Sequence, residues 1–133
     1  MNMRDIGKEY KKQERSIFIE VPRTKLIDAA KRLKDRGVTR ISSITGYDGG
    51  KGFEAIYHFH FRGQLINIKT KIDYKKPHVE TITKQFPGAE LFERELMEMV
   101  GVVVDNHPNP SKLFLCDDSP KCPLRKYIGK GGT

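Results

Sequence analysis

The 133-residue chain predicts an α+β fold: a mainly antiparallel sheet with helices packed on one face, in the order β-α-β-β-β-α-α-β, followed by an extended proline-rich tail. Three observations predict it. FEAIYHFHF, residues 53–61, alternates apolar and polar side chains with period two, the pattern of a half-buried strand. Two segments, 24–36 and 89–100, repeat apolar residues at helical spacing. Glycine or proline separates most of these segments from their neighbours.

Residues 1–15 are polar and mixed in charge, and are expected to form a flexible N-terminal arm or one that orders on a partner. SIFIEV, 16–21, has strand composition, and Pro22 ends the ladder. From Thr24 to Arg36 a helix is expected: Leu26, Ile27, Ala30 and Leu33 share a face, Thr24 can cap the start and Gly37 follows the end. Its basic residues Lys25, Lys31, Arg32, Lys34 and Arg36 suit a solvated face. VTRISSITGY is the next strand, and DGGKG is a glycine-rich hairpin turn. Beyond it Phe53, Ala55, Tyr57, Phe59 and Phe61 are expected to face a core. Arg62 and Gly63 turn the chain into QLINIKTKID, where Ile66, Ile68 and Ile72 oppose Lys69 and Lys71, so the three strands read as an antiparallel meander. Lys75, Lys76 and Pro77 break it, and a short helix is expected over 78–85. AELFERELMEMVG is the second long helix, with Ala89, Phe92, Leu96, Met99 and Val100 as its buried stripe and Gly101 as its stop. VVVD is a last short strand, which closes a domain at 16–106 and leaves 107–133 as the tail.

The formal net charge of +8 favours an acidic partner, a nucleic acid or an anionic surface. Residues 84–118, however, carry three basic and seven acidic side chains, a local charge of −4 that leaves +12 elsewhere. A uniform nucleic-acid footprint is not ordinarily interrupted in this way. The alternating aromatics Phe53, Tyr57, Phe59 and Phe61 read as core, and the basic-aromatic signature of a base-stacking sheet is absent. A free-standing basic nucleic-acid-binding domain is therefore the alternative reading, supported by net charge alone. No apolar run reaches the ~18 to 20 residues that span a bilayer, and the first residues do not suit a secretion signal, so a cytosolic protein is expected.

Candidate chemistry is sparse. His58 and His60 share a strand face but lack an evident third metal ligand. Cys116 and Cys122 are spaced C-x5-C, not as in zinc or iron-sulfur loops, and read as reduced thiols. DGGKG lacks the phosphate-loop spacing and joins two strands. No nucleophile with a base and an orienting acid is recognisable, so no active site, metal or cofactor is expected in the chain.

One constellation remains, ELFERELMEMVGVVVDNHPNP followed by CPLRK. Here the chain resembles the hydrophilic C-type subunit family of respiratory complex I, the NADH dehydrogenase of respiratory chains, and its relatives in membrane-bound, energy-converting nickel-iron hydrogenases and related ferredoxin-dependent complexes. Glu93, Arg94 and Glu95 match the family's Glu-Arg-Glu helix; Met99 and Gly101 match its hydrophobic-glycine step; His107 and Pro108 match its His-Pro turn; Pro123, Leu124, Arg125 and Lys126 match its closing Pro-Leu-Arg-Lys. The similarity extends over residues 20–127 through SSITGYD and FEAIYHF. No tryptophan precedes Glu-Arg-Glu, and Tyr127 follows Lys126, which turns the resemblance towards hydrogenase and sulfur-reducing relatives.

The resemblance implies a non-catalytic subunit without cofactor, packed against a large subunit that holds a quinone site or a nickel-iron centre. An iron-sulfur small subunit would lie nearby, and the chain would meet the cytoplasmic side of a membrane only through the complex. Glu93, Arg94, Glu95, His107, Pro108, Pro123, Leu124, Arg125 and Lys126 are the implied partner interface. Four prolines among residues 107–126 restrict the unfolded chain, so an extended strap loses less entropy on docking. Folding back of the tail on its own domain is the competing use.

Overall fold

A computed structural model describes residues 6–108. The expected α+β class is observed, as a five-stranded sheet beside a smaller two-stranded one. The elements are β1 (Lys8–Gln13), β2 (Ser16–Glu20), a 3-10 turn (Arg23–Lys25), α1 (Leu26–Asp35), β3 (Ile41–Asp48), β4 (Phe53–Phe61), β5 (Gln64–Ile72), β6 (His78–Glu80), α2 (Ala89–Val100) and β7 (Val103–Asp105). The large sheet has the order β1-β2-β5-β4-β3, and every neighbouring pair is antiparallel except β2 with β5.

Period-two patterning decides which face is buried. Ile17 lies level with Ile66 and Phe59, and Ile19 with Ile68 and Tyr57; all six are buried on the side that meets the helices. Phe53 and Ala55 continue this face, whereas Phe61 is only partly buried under the Arg62 guanidinium. From α1 come Leu26, Ala29, Ala30 and Leu33, and from α2 come Ala89, Leu96 and Val100. At Gly46 of β3, a Cβ would stand 2.2 Å from Leu96 Cδ1 and 3.0 Å from Val100 Cγ2. The missing side chain lets α2 lie close against β3.

The opposite face is polar and tied together by side chains. Thr45 Oγ1 lies 2.9 Å from His58 Nε2, His58 Nδ1 lies 2.6 Å from Asn67 Oδ1, and Asn67 Nδ2 donates to Ile17 O at 3.2 Å. Because the Asn67 amide oxygen can only accept, His58 carries its proton on Nδ1 and takes the Thr45 hydroxyl at Nε2. Lys69 reaches Glu54 at 3.4 Å and Glu20 at 3.7 Å, and its Nζ also sits 4.5 Å above the ring of Tyr10.

Four elements differ from the sequence expectation. Lys8–Gln13, expected in the flexible arm, is the edge strand of the sheet. Its charged sequence lacks apolar alternation because an edge strand gains its pairing from the backbone, and Lys11 and Tyr10 add ring contacts with Phe18. Thr24 does not cap α1; it lies inside the 3-10 turn, and Ala29, not Ile27, fills the buried stripe. Residues 78–80 are a strand, and the helix expected over 78–85 is reduced to a turn in which Phe86 N donates to Ile82 O. The β-branched run Val79, Thr81, Ile82, Thr83 favours extended chain, and β6 pairs in parallel with β7. In α2 the buried stripe includes Glu93 and Glu98, while Phe92 and Met99 are only partly buried.

Gly46→Ala should lower the stability of the chain by roughly 1–3 kcal/mol through overpacking. Part of that loss should return in the Gly46→Ala/Leu96→Ala double variant, a coupling that urea denaturation of the four proteins measures.

Candidate functional site

The carboxylate of Glu93 is enclosed where the end of β6, α2 and the chain leaving β7 meet. Helical spacing puts position 93 one turn after Ala89 and one before Leu96, on the side of α2 that faces the core. The Thr81 hydroxyl donates to Glu93 Oε1 at 2.6 Å and the Ile82 amide donates to Oε2 at 2.9 Å. Thr81 also caps its own loop, since the Thr83 amide donates to Thr81 Oγ1 at 3.2 Å. Burial raises the Glu93 carboxyl above its ordinary range; the bonds from Thr81 and Ile82 and the nearby His107 pull the other way without cancelling it. Burial, with a smaller contribution from Glu93, likewise pushes the Tyr57 phenol up, so it stays protonated.

His107 completes the arrangement. Its side chain is buried, with Nε2 2.9 Å from the carbonyl of Glu90 and 3.8 Å from Glu93 Oε1. The carbonyl can only accept, so the proton is on Nε2. One imidazole thus joins the first turn of α2 to the point at which the chain leaves β7. The two short strands are fixed as well: His78 Nδ1 is 3.0 Å from Asp105 Oδ1, and Asn106 Nδ2 donates to both Glu80 carboxylate oxygens at 3.1 and 3.2 Å. Asn106 has φ +63°, a left-handed turn that sends the backbone into His107.

Of the residues singled out in the sequence, Glu93 and His107 are brought together. Both side chains act within the chain: they are buried, and their hydrogen-bonding partners are its own groups. Arg94 and Glu95 are half-buried, and Glu95 lines a shallow groove of about 160 Å³ with Ile44, Thr45, Gly46, Leu96 and Met99. Pro108 is exposed. Pro123, Leu124, Arg125 and Lys126, like Cys116 and Cys122, lie outside the described residues. Sequence reasoning misses Thr81 and Ile82; the signal that points to them is the β-branched run, whose preference for extended chain outweighs a helical reading. The other candidates find ordinary employment. His58 spends both ring nitrogens on hydrogen bonds, the DGGKG loop closes a hairpin through Gly49 N to Gly52 O at 2.8 Å, and Phe53, Tyr57 and Phe59 are buried and cannot stack on bases. Among the described residues no group of three or more His, Cys, Asp or Glu is placed to hold a metal ion.

Comparison with known proteins places this geometry in a family. Residues 19–132 match the model of the respiratory-chain NADH dehydrogenase, 30 Kd subunit. The chain belongs to that family. Within it, the chain is 30% identical over 126 residues to the corresponding subunit of the NADH-quinone oxidoreductase of Saccharopolyspora erythraea, covering 87% of this chain and 50% of that protein. It is also 30% identical over 122 residues to NAD(P)H-quinone oxidoreductase subunit J of Prochlorococcus marinus, covering 83% of this chain and 69% of the relative. The chain spans about half the length of the Saccharopolyspora relative. In fold it is similar to a chain of the membrane-bound sulfane sulfur reductase, an archaeal respiratory membrane complex, with a TM-score of 0.80 at 24% identity, covering 92% of this chain and 78% of that one. Both the Glu93 clamp and the exit of the chain at His107 lie within the part that matches the 30 Kd family. Among the described residues no helix is long and apolar enough to cross a membrane.

Two measurements probe the clamp. Glu93→Ala leaves the Ile82 amide and the Thr81 hydroxyl without their acceptor and should cost about 1–3 kcal/mol. Glu93→Gln tests the raised carboxyl. The folded chain holds this proton more tightly than the unfolded chain, so the stability that protonation contributes is fully present below the ordinary carboxylate range. It is lost as the pH rises through the raised folded value. Urea midpoints between pH 4 and pH 7 should therefore show the wild type losing ground to Glu93→Gln as pH increases.

Proposed function

We propose that the chain is a non-catalytic structural subunit of a complex-I-like, membrane-bound oxidoreductase, where it docks on and steadies the large catalytic subunit. Membership of the 30 Kd subunit family supports this reading, and the observation that carries it is the clamp at the root of the C-terminal segment. A buried carboxylate and a buried imidazole are used to define one direction in which residues 107–133 leave the domain. Such definition is useful when that segment must meet a larger neighbour, because the entropy of orienting it is then lost on folding and not on binding. In this role the redox chemistry and any ion translocation reside in the partner chains, with a quinone-site or nickel-iron large subunit as the immediate neighbour and an iron-sulfur small subunit close by. The position is peripheral, on the cytoplasmic side, in a hydrogenase, a sulfur-reducing enzyme or another ferredoxin-dependent complex.

Arg125 is assigned to the partner because a guanidinium presents a planar fork that matches a carboxylate. Arg125→Ala should reduce co-purification of the chain with the large subunit from solubilised native membranes at least about tenfold. The thermal midpoint of the isolated chain should be nearly unchanged. A large loss of midpoint with assembly intact would assign Arg125 to internal use.

A further inference from the structure

Leu91, in the first turn of α2, is 52% exposed, the most exposed large apolar side chain among the described residues. It follows Glu90, whose carbonyl accepts the His107 Nε2–H at 2.9 Å. Pro108, also exposed, follows His107. Each apolar residue is thus one Cα step, about 3.8 Å of chain, from the same hydrogen bond. The clamp that holds His107 against α2 therefore sets the two on one stretch of surface. The fold does not require leucine at position 91: the side chain points away from the core, and glutamate or arginine would serve a helix about as well. The surroundings are acidic for so basic a protein. Four glutamates, Glu90, Glu93, Glu95 and Glu98, share α2 with a single arginine, whereas the whole chain carries +8. Glu90 and Glu95, both only half-buried, flank Leu91, the second of them one helical turn on along the same face.

We propose that Leu91 and Pro108 form a single apolar contact point, aimed by the Glu93–His107 clamp, for an apolar side chain of the adjoining subunit whose basic groups meet Glu90 and Glu95 beside it. The proposal rests on the reading of the chain as an assembly subunit, and adds the place and the chemistry of the contact. Interfaces concentrate their energy in a few well-buried apolar or aromatic anchors ringed by polar contacts, which is the arrangement offered here. Glu93 and His107 are positioning residues behind the contact.

The test replaces the native copy in its own host with tagged full-length variants and measures the fraction that co-elutes with the large solubilised complex. Leu91→Ala should lower that fraction roughly tenfold, as loss of a buried leucine would. Leu91→Arg should lose more than Leu91→Glu, because the partner's rim is basic. Thermal midpoints of the isolated variants, which should lie close to wild type, separate misfolding from failed docking, and Leu91→Ser serves if Leu91→Arg does not fold. His107→Ala should reduce retention, and His107→Gln, whose amide can still reach the Glu90 carbonyl, should restore most of it. Full retention of folded Leu91→Arg overturns the contact, and a larger loss with Glu than with Arg overturns the basic rim. Equal losses in His107→Ala and His107→Gln overturn the aiming role. A dimer of the isolated chain that Leu91→Arg abolishes in sedimentation would assign the patch to a second copy instead. If the wild-type chain itself never co-elutes with a larger complex, the assembly reading fails, a result distinct from all of these.

Discussion

The second half of the domain depends on how the carboxylate of Glu93 is accommodated. A carboxylate withdrawn from water is tolerated only when its oxygens are met by donors. The Thr81 hydroxyl and the Ile82 amide meet one oxygen each, and both lie just beyond β6. The helix that carries Glu93 is also the crossover between β6 and β7, which run parallel and cannot be joined by a tight turn. One buried acid therefore fixes the rotation of α2 about its axis, the place of the β6 loop and, through His107, the course of the chain after β7. This explains why the apolar stripe of α2 is not the one that hydrophobicity alone selects.

The fold was legible where one physical cause dominates. FEAIYHFHF and QLINIKTKID show their buried face through strict alternation, and the structure buries Phe53, Ala55, Tyr57, Phe59, Ile66, Ile68 and Ile72. Gly101 ends α2 with φ +84°, as a left-handed helix terminus requires. Legibility failed where distant partners decide. Lys8–Gln13 shows no periodicity because only its backbone is claimed by the sheet. Residues 78–80 pair with residues 103–105, which no local pattern announces. Glu93 could be flagged by a motif, but the motif does not say that its side chain turns inward, since that depends on Thr81 and Ile82 being folded against it.

The two faces of the large sheet are held by different forces. The helix-facing side relies on apolar burial, which is strong but indifferent to exact partners. The other side is crossed by the hydrogen-bonded row Thr45, His58, Asn67 and the Ile17 carbonyl, which runs over β3, β4, β5 and β2. Each member satisfies the next, so a strand displaced by one residue would strand several polar groups at once. Burial supplies the larger share of the stability, and the polar row contributes register.

The lysine-bearing margin formed by β1 bears on the life of the molecule before it meets any neighbour. An unfilled sheet border is an invitation to further strands, and identical copies are the ones nearest to hand during synthesis. Here that border carries Lys8 and Lys11 and is interrupted by a bulge between Glu9 and Lys11. Stacking another copy on it would crowd like charges and misalign the ladder. Newly made chains are in this way kept from polymerising through their sheets, and remain dispersed until a fitting surface takes them up.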